Sequence, residues 1–294
     1  MKIVVTGSVG RLGRSVYAEL KRRGHDVVGI DLQRSFGSCD REVDLRDAGE
    51  AYGAIAGIRP DAIVHLAGLP TPFGRPEHVL FATNTLTTFH VCQAAADLGV
   101  RSVLCASSPT VIGYGNPNGW APSYLPLDED HPAQPWHGYG ISKLAIEAIV
   151  RGFAAKGGPT KYFTFRPCYV VAPEDWDPAA PTQLGHSMAE RLKKPELAAG
   201  SLFNYIDARD AAALVALICQ RAEDLSNGEC FFASADDALA TEPLCDLLPR
   251  FVPSTAPSAA NLTGTRAAFS NAKANRLLGW RPLRSWRQFL EFSE

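Results

Sequence analysis

The chain has 294 residues, 46% of them hydrophobic, and a formal net charge of −2. That length supports one large core, or one core with a smaller lobe. The balanced charge argues against a nucleic-acid partner, and no apolar run approaches the ~20 residues of a membrane helix.

Ile3-Val4-Val5 predicts a first strand. Leu12 to Arg23 has helical spacing, with Leu12, Val16 and Leu20 on one face and Gly24 as its stop. The densest basic run, Lys21-Arg22-Arg23, closes that helix, where cations suit the helix dipole. Val27-Val28-Gly29-Ile30, Ala62-Ile63-Val64-His65-Leu66 and Ser102-Val103-Leu104-Cys105-Ala106 predict further strands, with a long helix over Val79 to Leu98. Residues 113–136 are rich in Gly, Pro, Asn and Trp and read as a long functional loop. Helical spacing resumes from Ser142 to Phe153, and Tyr162 to Arg166 predicts another strand. After Pro167 the pattern weakens, with prolines and short helices over 172–200 and 234–265.

Strands alternating with helices, and unbroken apolar strands, predict an α/β fold: a Rossmann-type doubly wound parallel sheet with a smaller C-terminal substrate-binding lobe. The expected division is a dinucleotide-binding domain over 1–168, its sheet completed by 201–232, and a lobe from 169–200 and 233–294. The seven cysteines have no metal-ligand spacing, so we expect reduced thiols, no metal and a cytoplasmic protein. Met1-Lys2 leads straight into the first strand, so we expect no signal peptide.

Gly7, Gly10 and Gly13 follow the first strand and open the first helix with the spacing G-x-x-G-x-x-G. Such a turn lets backbone approach a pyrophosphate at a helix N-terminus, and Arg11 and Leu12 lie within it. Asp31, 18 residues after Gly13, ends the second strand. A carboxylate there accepts both ribose hydroxyls and repels a 2′-phosphate, which favours NAD over NADP; Arg34 nearby offsets part of that repulsion. Tyr139 and Lys143 stand at i and i+4, so they share a helix face, and the ammonium is expected to lower the phenol pKa toward neutrality.

These motifs, in this order, resemble the extended short-chain dehydrogenase/reductases, the NAD-dependent epimerase/dehydratase family. The resemblance runs from residue 1 to about 215 and again near the C-terminus. Asp44-Leu45 resembles the family's adenine-contacting pair, and His65-Leu66-Ala67-Gly68 its strand end beside the phosphates. Asn84 heads a stretch like the family's Asn-bearing helix, and Ser107-Ser108-Pro109-Thr110 its serine-bearing strand end. Phe203-Asn204-Tyr205-Ile206-Asp207 and Leu277-Leu278-Gly279-Trp280 also have counterparts. The resemblance implies that Tyr139 exchanges a proton with a substrate hydroxyl, Ser108 orients that oxygen, and Lys143 binds the nicotinamide ribose. Thr110 is a second candidate for substrate contact.

The same resemblance narrows the reaction. The family's 4,6-dehydratases carry an Asp-Glu pair where this chain has Pro109 and Thr110, and its uronate decarboxylases carry Glu at the place of Thr110. Its nucleotide-sugar 4-epimerases hold a diphosphate with an Asn and an Arg where Tyr169 and Phe203 stand here. Arg166 and Arg266 are available to compensate in part. We therefore expect hydride transfer at a secondary alcohol of a sugar, sugar acid or polyol. A UDP-hexose 4-epimerase with tightly bound NAD is the alternative, and a non-catalytic dinucleotide sensor is disfavoured by the retained serine, tyrosine and lysine. Trp120, Tyr124 and Trp136 on the loop are available to stack on a substrate ring, with Trp176 and His186 as weaker candidates and His137 as a solvated turn residue. The apolar pattern Leu144, Ile146, Ala148 and Ile149 permits a homodimer through this helix.

Overall fold

The first apolar run becomes strand β1 (Lys2–Thr6), and the glycine turn leads into helix α1 (Arg11–Arg22). Strands β2 (Asp26–Asp31) and β3 (Arg41–Glu42) follow. Helix α2 (Ala48–Ile58) starts where the Asp47 side chain accepts from the Glu50 amide, a cap that satisfies one orphan donor of the first turn. Strand β4 (Ala62–His65), helix α3 (Glu77–Leu98) and strand β5 (Ser102–Ala106) match the sequence pattern to within two residues. Helix α4 (Gly138–Lys156) begins four residues before its apolar spacing does. His137 is the reason: its ring nitrogen accepts from the Gly140 amide and caps the helix, so Tyr139 lies in the first turn.

Strand β6 (Lys161–Pro167) is followed by a short strand β7 (Val170–Val171) and helices α5 (Met188–Lys193) and α6 (Glu196–Ala199). Strand β8 (Ile206–Asp207), helix α7 (Ala208–Gln220) and strand β9 (Cys230–Ala233) come next, then helices α8 (Leu244–Phe251), α9 (Ala256–Ala259) and α10 (Ala272–Leu278). The computed structural model describes residues 1–34 and 37–290. The last four residues of the expected lobe, 291–294, lie outside the described residues.

The main sheet has seven strands in the order β3-β2-β1-β4-β5-β6-β9, and every pairing is parallel. Successive side chains of a strand point to opposite faces. Ile3 and Val5 of β1 enter a core with α1 and α7, while Val4 enters a second core with α2, α3 and α4. On β5, Leu104 joins the first core, and Val103 and Cys105 the second. Both faces are covered, which is why the strands read as unbroken apolar runs. Strand order reverses at β1, so a crevice opens beyond the carboxyl ends of β1 and β4.

Strands β7 and β8 form a separate two-stranded parallel sheet. Beside it Val171, Trp176, Met188, Leu192, Tyr205, Leu239 and Trp286 make a third, smaller core. No helix among the described residues is long and apolar enough to cross a membrane.

Candidate active site

The glycine turn sits at the mouth of the crevice. Gly7 has φ +67°, and a Cβ on it would lie 2.7 Å from the Ala67 nitrogen. A Cβ on Gly13 would lie 2.0 Å from the Gly7 oxygen. Both positions require glycine, one for the close pass of the β4 end and one for the tight start of α1. Gly10 is the N-cap of α1, makes no side-chain cap, and no acid stands in the first turn. The open amides at Arg11 and Leu12 therefore suit an anion such as a pyrophosphate.

Around this turn the predicted residues gather. Asp31 accepts from the Val9 amide at 3.0 Å, which fixes its carboxylate against the glycine turn. The Leu66 and Ala67 amides donate to Thr6 Oγ1 and lock the β4 end to β1. Gly68 passes so close to Asn84 that a Cβ would meet Asn84 Oδ1 at 2.8 Å. Buried Asn84 accepts from the Leu69 amide and donates to Ser142 Oγ at 3.0 Å, which joins α3 to the first turn of α4. Asp44 lies farther along the crevice edge and pairs with Arg46, which holds its carboxyl below the usual range. Leu45 is buried in the second core.

Ser108, Tyr139 and Lys143 converge at the end of β5. Ser108 Oγ accepts from the Thr110 amide at 3.3 Å and from Thr110 Oγ1 at 3.0 Å. Those bonds occupy its lone pairs and leave its own hydrogen for the Tyr139 phenol beside it. Lys143 Nζ donates to the Ala106 carbonyl at 2.9 Å and stands 5.5 Å from the Tyr139 ring centre.

The electrostatics differ from the sequence expectation. Burial pushes Tyr139 up to about 12, offset only in part by Ser108, and pushes Lys143 down to about 8. The ammonium is turned toward a strand carbonyl, so the protein alone does not hold the phenol near neutrality. His65 lies behind this pair, bonded to Thr6 Oγ1 at 2.8 Å. Burial, and secondarily the charge of Lys143, push His65 down to about 3.

Three polar residues of α4, Tyr139, Lys143 and Glu147, are buried one above the next. The sequence carried this signal as polar residues spaced by four within an apolar helix. Glu147 accepts from Ser107 Oγ at 2.6 Å and takes a bidentate pair from Arg166, at 2.8 and 2.9 Å. This network braces β5, α4 and β6 directly behind Ser108. It also corrects one expectation: Arg166 is 5% exposed and spent on Glu147, so it is not a phosphate ligand.

Other expectations change for similar reasons. His137 is a buried helix cap stacked over Tyr139, not a solvated turn residue. Trp120 is buried and donates to the Ile112 carbonyl, and Tyr124 donates to Asp128 at 2.5 Å. Trp136 donates to the Tyr114 carbonyl and packs on His137. Trp176 is buried in the third core and bonded to Asp207. These aromatics hold the loop and lobe together through their polar edges. Leu127 of the loop bonds to Ala268 and Ser270, and Glu129 accepts from the Phe232 amide, so the loop is pinned to the sheet edge.

Tyr169 lies one residue past Cys168, and its amide donates to Asn204 Oδ1 at 2.8 Å. The Asn204 side chain also meets the hydroxyl of Tyr114, which neighbours Tyr139. Tyr114 and Asn204 are thus brought beside the Tyr139 cluster; the sequence marked Asn204 only as part of a matching stretch and did not mark Tyr114. Arg266 is exposed, and among the described residues no hydrogen bond or ion pair joins its side chain to the Tyr139 cluster. Arg11 and Arg14 are paired with Asp175 and Glu174, so the lobe clamps onto the start of α1.

A model of the NAD dependent epimerase/dehydratase family matches residues 3–232. A UDP-glucose 4-epimerase of Bacillus subtilis is 29% identical over 168 residues, 51% of this chain and 47% of the relative. A uronate dehydrogenase of Pseudomonas syringae pv. tomato is 29% identical over 147 residues, 48% of this chain and 50% of the relative. The chain thus spans about half the length of the curated relatives it matches. A short-chain dehydrogenase/reductase superfamily protein of Agrobacterium tumefaciens, solved with bound NAD, is 25% identical with a TM-score of 0.71. That likeness covers 98% of this chain and 94% of the other.

Proposed function

This chain belongs to the NAD dependent epimerase/dehydratase family, and on that premise we propose that it is an NAD-dependent oxidoreductase acting at a secondary alcohol of a sugar, sugar acid or polyol. NAD, when bound, supplies the carbon that exchanges hydride with the substrate. The glycine turn, Asp31 and the Leu66–Gly68 strand end would hold it, with Asp44, Leu45 and Asn84 along the same crevice. Lys143 would meet its nicotinamide ribose. Tyr139 is the acid–base group on the substrate oxygen, and the Ser108 hydroxyl, fixed by Thr110, orients that oxygen.

The observation that carries a small substrate is the disposition of arginines. Arg166 is held by Glu147, Arg11 by Asp175 and Arg14 by Glu174. A buried diphosphate needs paired cations, and with these three committed Arg191 is the one buried arginine among the described residues without a carboxylate. The similarity to UDP-glucose 4-epimerases favours the second reading, a nucleotide-sugar epimerase.

The experiment is an absorbance screen at the NADH band with NAD and a panel of sugars, uronic acids, polyols and UDP-sugars. Steady NADH release with a free sugar, sugar acid or polyol supports the dehydrogenase. Interconversion of a UDP-sugar without net NADH would sink it.

We place the protein in the cytoplasm, where unpaired cysteines such as buried Cys92 and Cys105 persist, and read it as a homodimer. The sequence pattern pointed to Ile146, but that residue lies in the second core. The exposed apolar side chains are instead Phe81, Leu86 and Phe89 of α3 and Ile141 of α4, each above 40% exposed. A chain of that size with this apolar face is expected to elute as a dimer in light-scattering chromatography.

A further inference from the structure

Two arginines are buried among the described residues, Arg166 and Arg191. Arg166 faces Glu147, whereas Arg191, 1% exposed on α5, has no carboxylate partner among the described residues. Guanidinium does not deprotonate in proteins, so α5 carries a fixed buried charge, which is costly without a counter-charge. The nearest acid in sequence, Glu190, is turned to the helix start, where it accepts from the Ser187 amide. Asp175 is committed to Arg11 and the Ala172 amide.

Arg191 has five N–H donors. One guanidinium nitrogen donates to His186 Nε2 at 3.3 Å and the other to Ser201 Oγ at 3.1 Å. The buried Nε donor has no acceptor. The guanidinium lies over the Tyr169 ring, 4.5 Å from its centre, while the Tyr169 hydroxyl is turned to Thr182. An unanswered donor on a buried, uncompensated cation calls for an acceptor with negative charge. Tyr169 is in turn tied through Asn204 to Tyr114 and so to Tyr139.

We propose that Arg191, stacked on Tyr169, is an oxyanion subsite of the substrate pocket and selects a sugar acid by its carboxylate. The proposal rests on the hydride-transfer reading above and names its substrate class. Charge counting favours a carboxylate over a diphosphate, since one fixed positive charge neutralises one negative charge. His186 adds none, because burial and Arg191 push its pKa down and its ring accepts from the guanidinium.

The test is calorimetric titration of NADH-loaded protein with glucuronate, galacturonate and mannuronate, with the matching neutral hexoses, and with a hexose 6-phosphate. At least one uronate should bind tenfold or more tightly than its neutral hexose. Arg191→Met should remove that preference while leaving NADH affinity unchanged. Arg191→Lys, which keeps the charge and loses the fork, should keep part of it. Without ligand, Arg191→Met should melt no lower than the parent, because it deletes an uncompensated buried charge. A merely structural arginine would instead lower the melting point and spare the preference.

An acid preference that survives Arg191→Met, or no binding of any uronate, overturns the subsite and leaves the hydride reading standing. Loss of hexose phosphate binding alone overturns the sugar-acid assignment. Arg191-dependent uronate binding without NADH formation from any sugar keeps the subsite and refutes the hydride reading instead.

Discussion

The sheet half and the lobe bury polar groups in opposite ways. In the sheet half, the buried arginine faces a buried carboxylate: Glu147 and Arg166 share two hydrogen bonds behind Ser108. In the lobe, Arg191 is as deeply buried and faces a tyrosine ring, a histidine and a serine. Of the ion pairs that join the lobe to α1, Arg14–Glu174 lies at the surface, with Glu174 57% exposed, while Arg11 reaches the buried Asp175. A satisfied buried network fixes geometry, whereas an unsatisfied charge is poised toward something outside the chain. On the proposed function, the sheet half would be scaffold and reaction centre, and the lobe the part that chooses what reacts.

The largest expected effect separates chemistry from scaffold. Tyr139→Phe should lower kcat by about 10²–10⁴-fold, the usual worth of a positioned acid–base group. NAD affinity measured by calorimetry should stay within a few-fold, because no glycine-turn contact is touched. A variant with parental turnover would remove Tyr139 from the mechanism.

Next comes the brace. Arg166→Met leaves buried Glu147 with only the Ser107 hydroxyl and the longer, exposed Arg151 contact at 3.6 Å, and chemical denaturation should show a loss of about 3–5 kcal/mol. A loss below about 1 kcal/mol would mean that the sheet half and the lobe do not differ in the way described.

A pH titration sharpens the same contrast through His65. Its folded-state pKa is about 3, well below the unfolded value of 6.5. As pH falls through 6.5 the unfolded chain takes up a proton that the folded chain refuses, so stability falls with it. Between pH 6.5 and pH 5 the loss is about 2 kcal/mol. His65→Asn should flatten that part of the stability profile, and an unchanged slope would contradict the burial argument.

The smallest effect belongs to the surface clamp. Glu174→Ala breaks the exposed pair with Arg14, and denaturation should shift by less than about 1 kcal/mol. A larger shift would make the clamp a structural brace comparable to Glu147–Arg166.

Much of the sheet half was legible because its signals are local. Unbroken apolar strands, the spacing of Gly7, Gly10 and Gly13, and the four-residue step from Tyr139 to Lys143 each fix a conformation within a few residues. The start of α4 was missed because a histidine cap is a weaker signal than serine or aspartate. The loop aromatics were misplaced because their polar edges bond within or beside the loop, Trp120 to the Ile112 carbonyl and Tyr124 to Asp128, and Arg166 because its partner Glu147 lies on another element.

The sequence by itself determined the parallel sheet, the glycine turn and the residues that form the serine–tyrosine–lysine cluster. Backbone preference and side-chain periodicity act over one turn or one strand, and no other part of the chain is needed to read them. Only the tertiary structure decided which charges are spent and which remain. It matched Arg166 to Glu147, turned Lys143 to a strand carbonyl, and buried Arg191 against Tyr169. Burial and long-range pairing set the energy of a charge, and both arise only when distant segments meet.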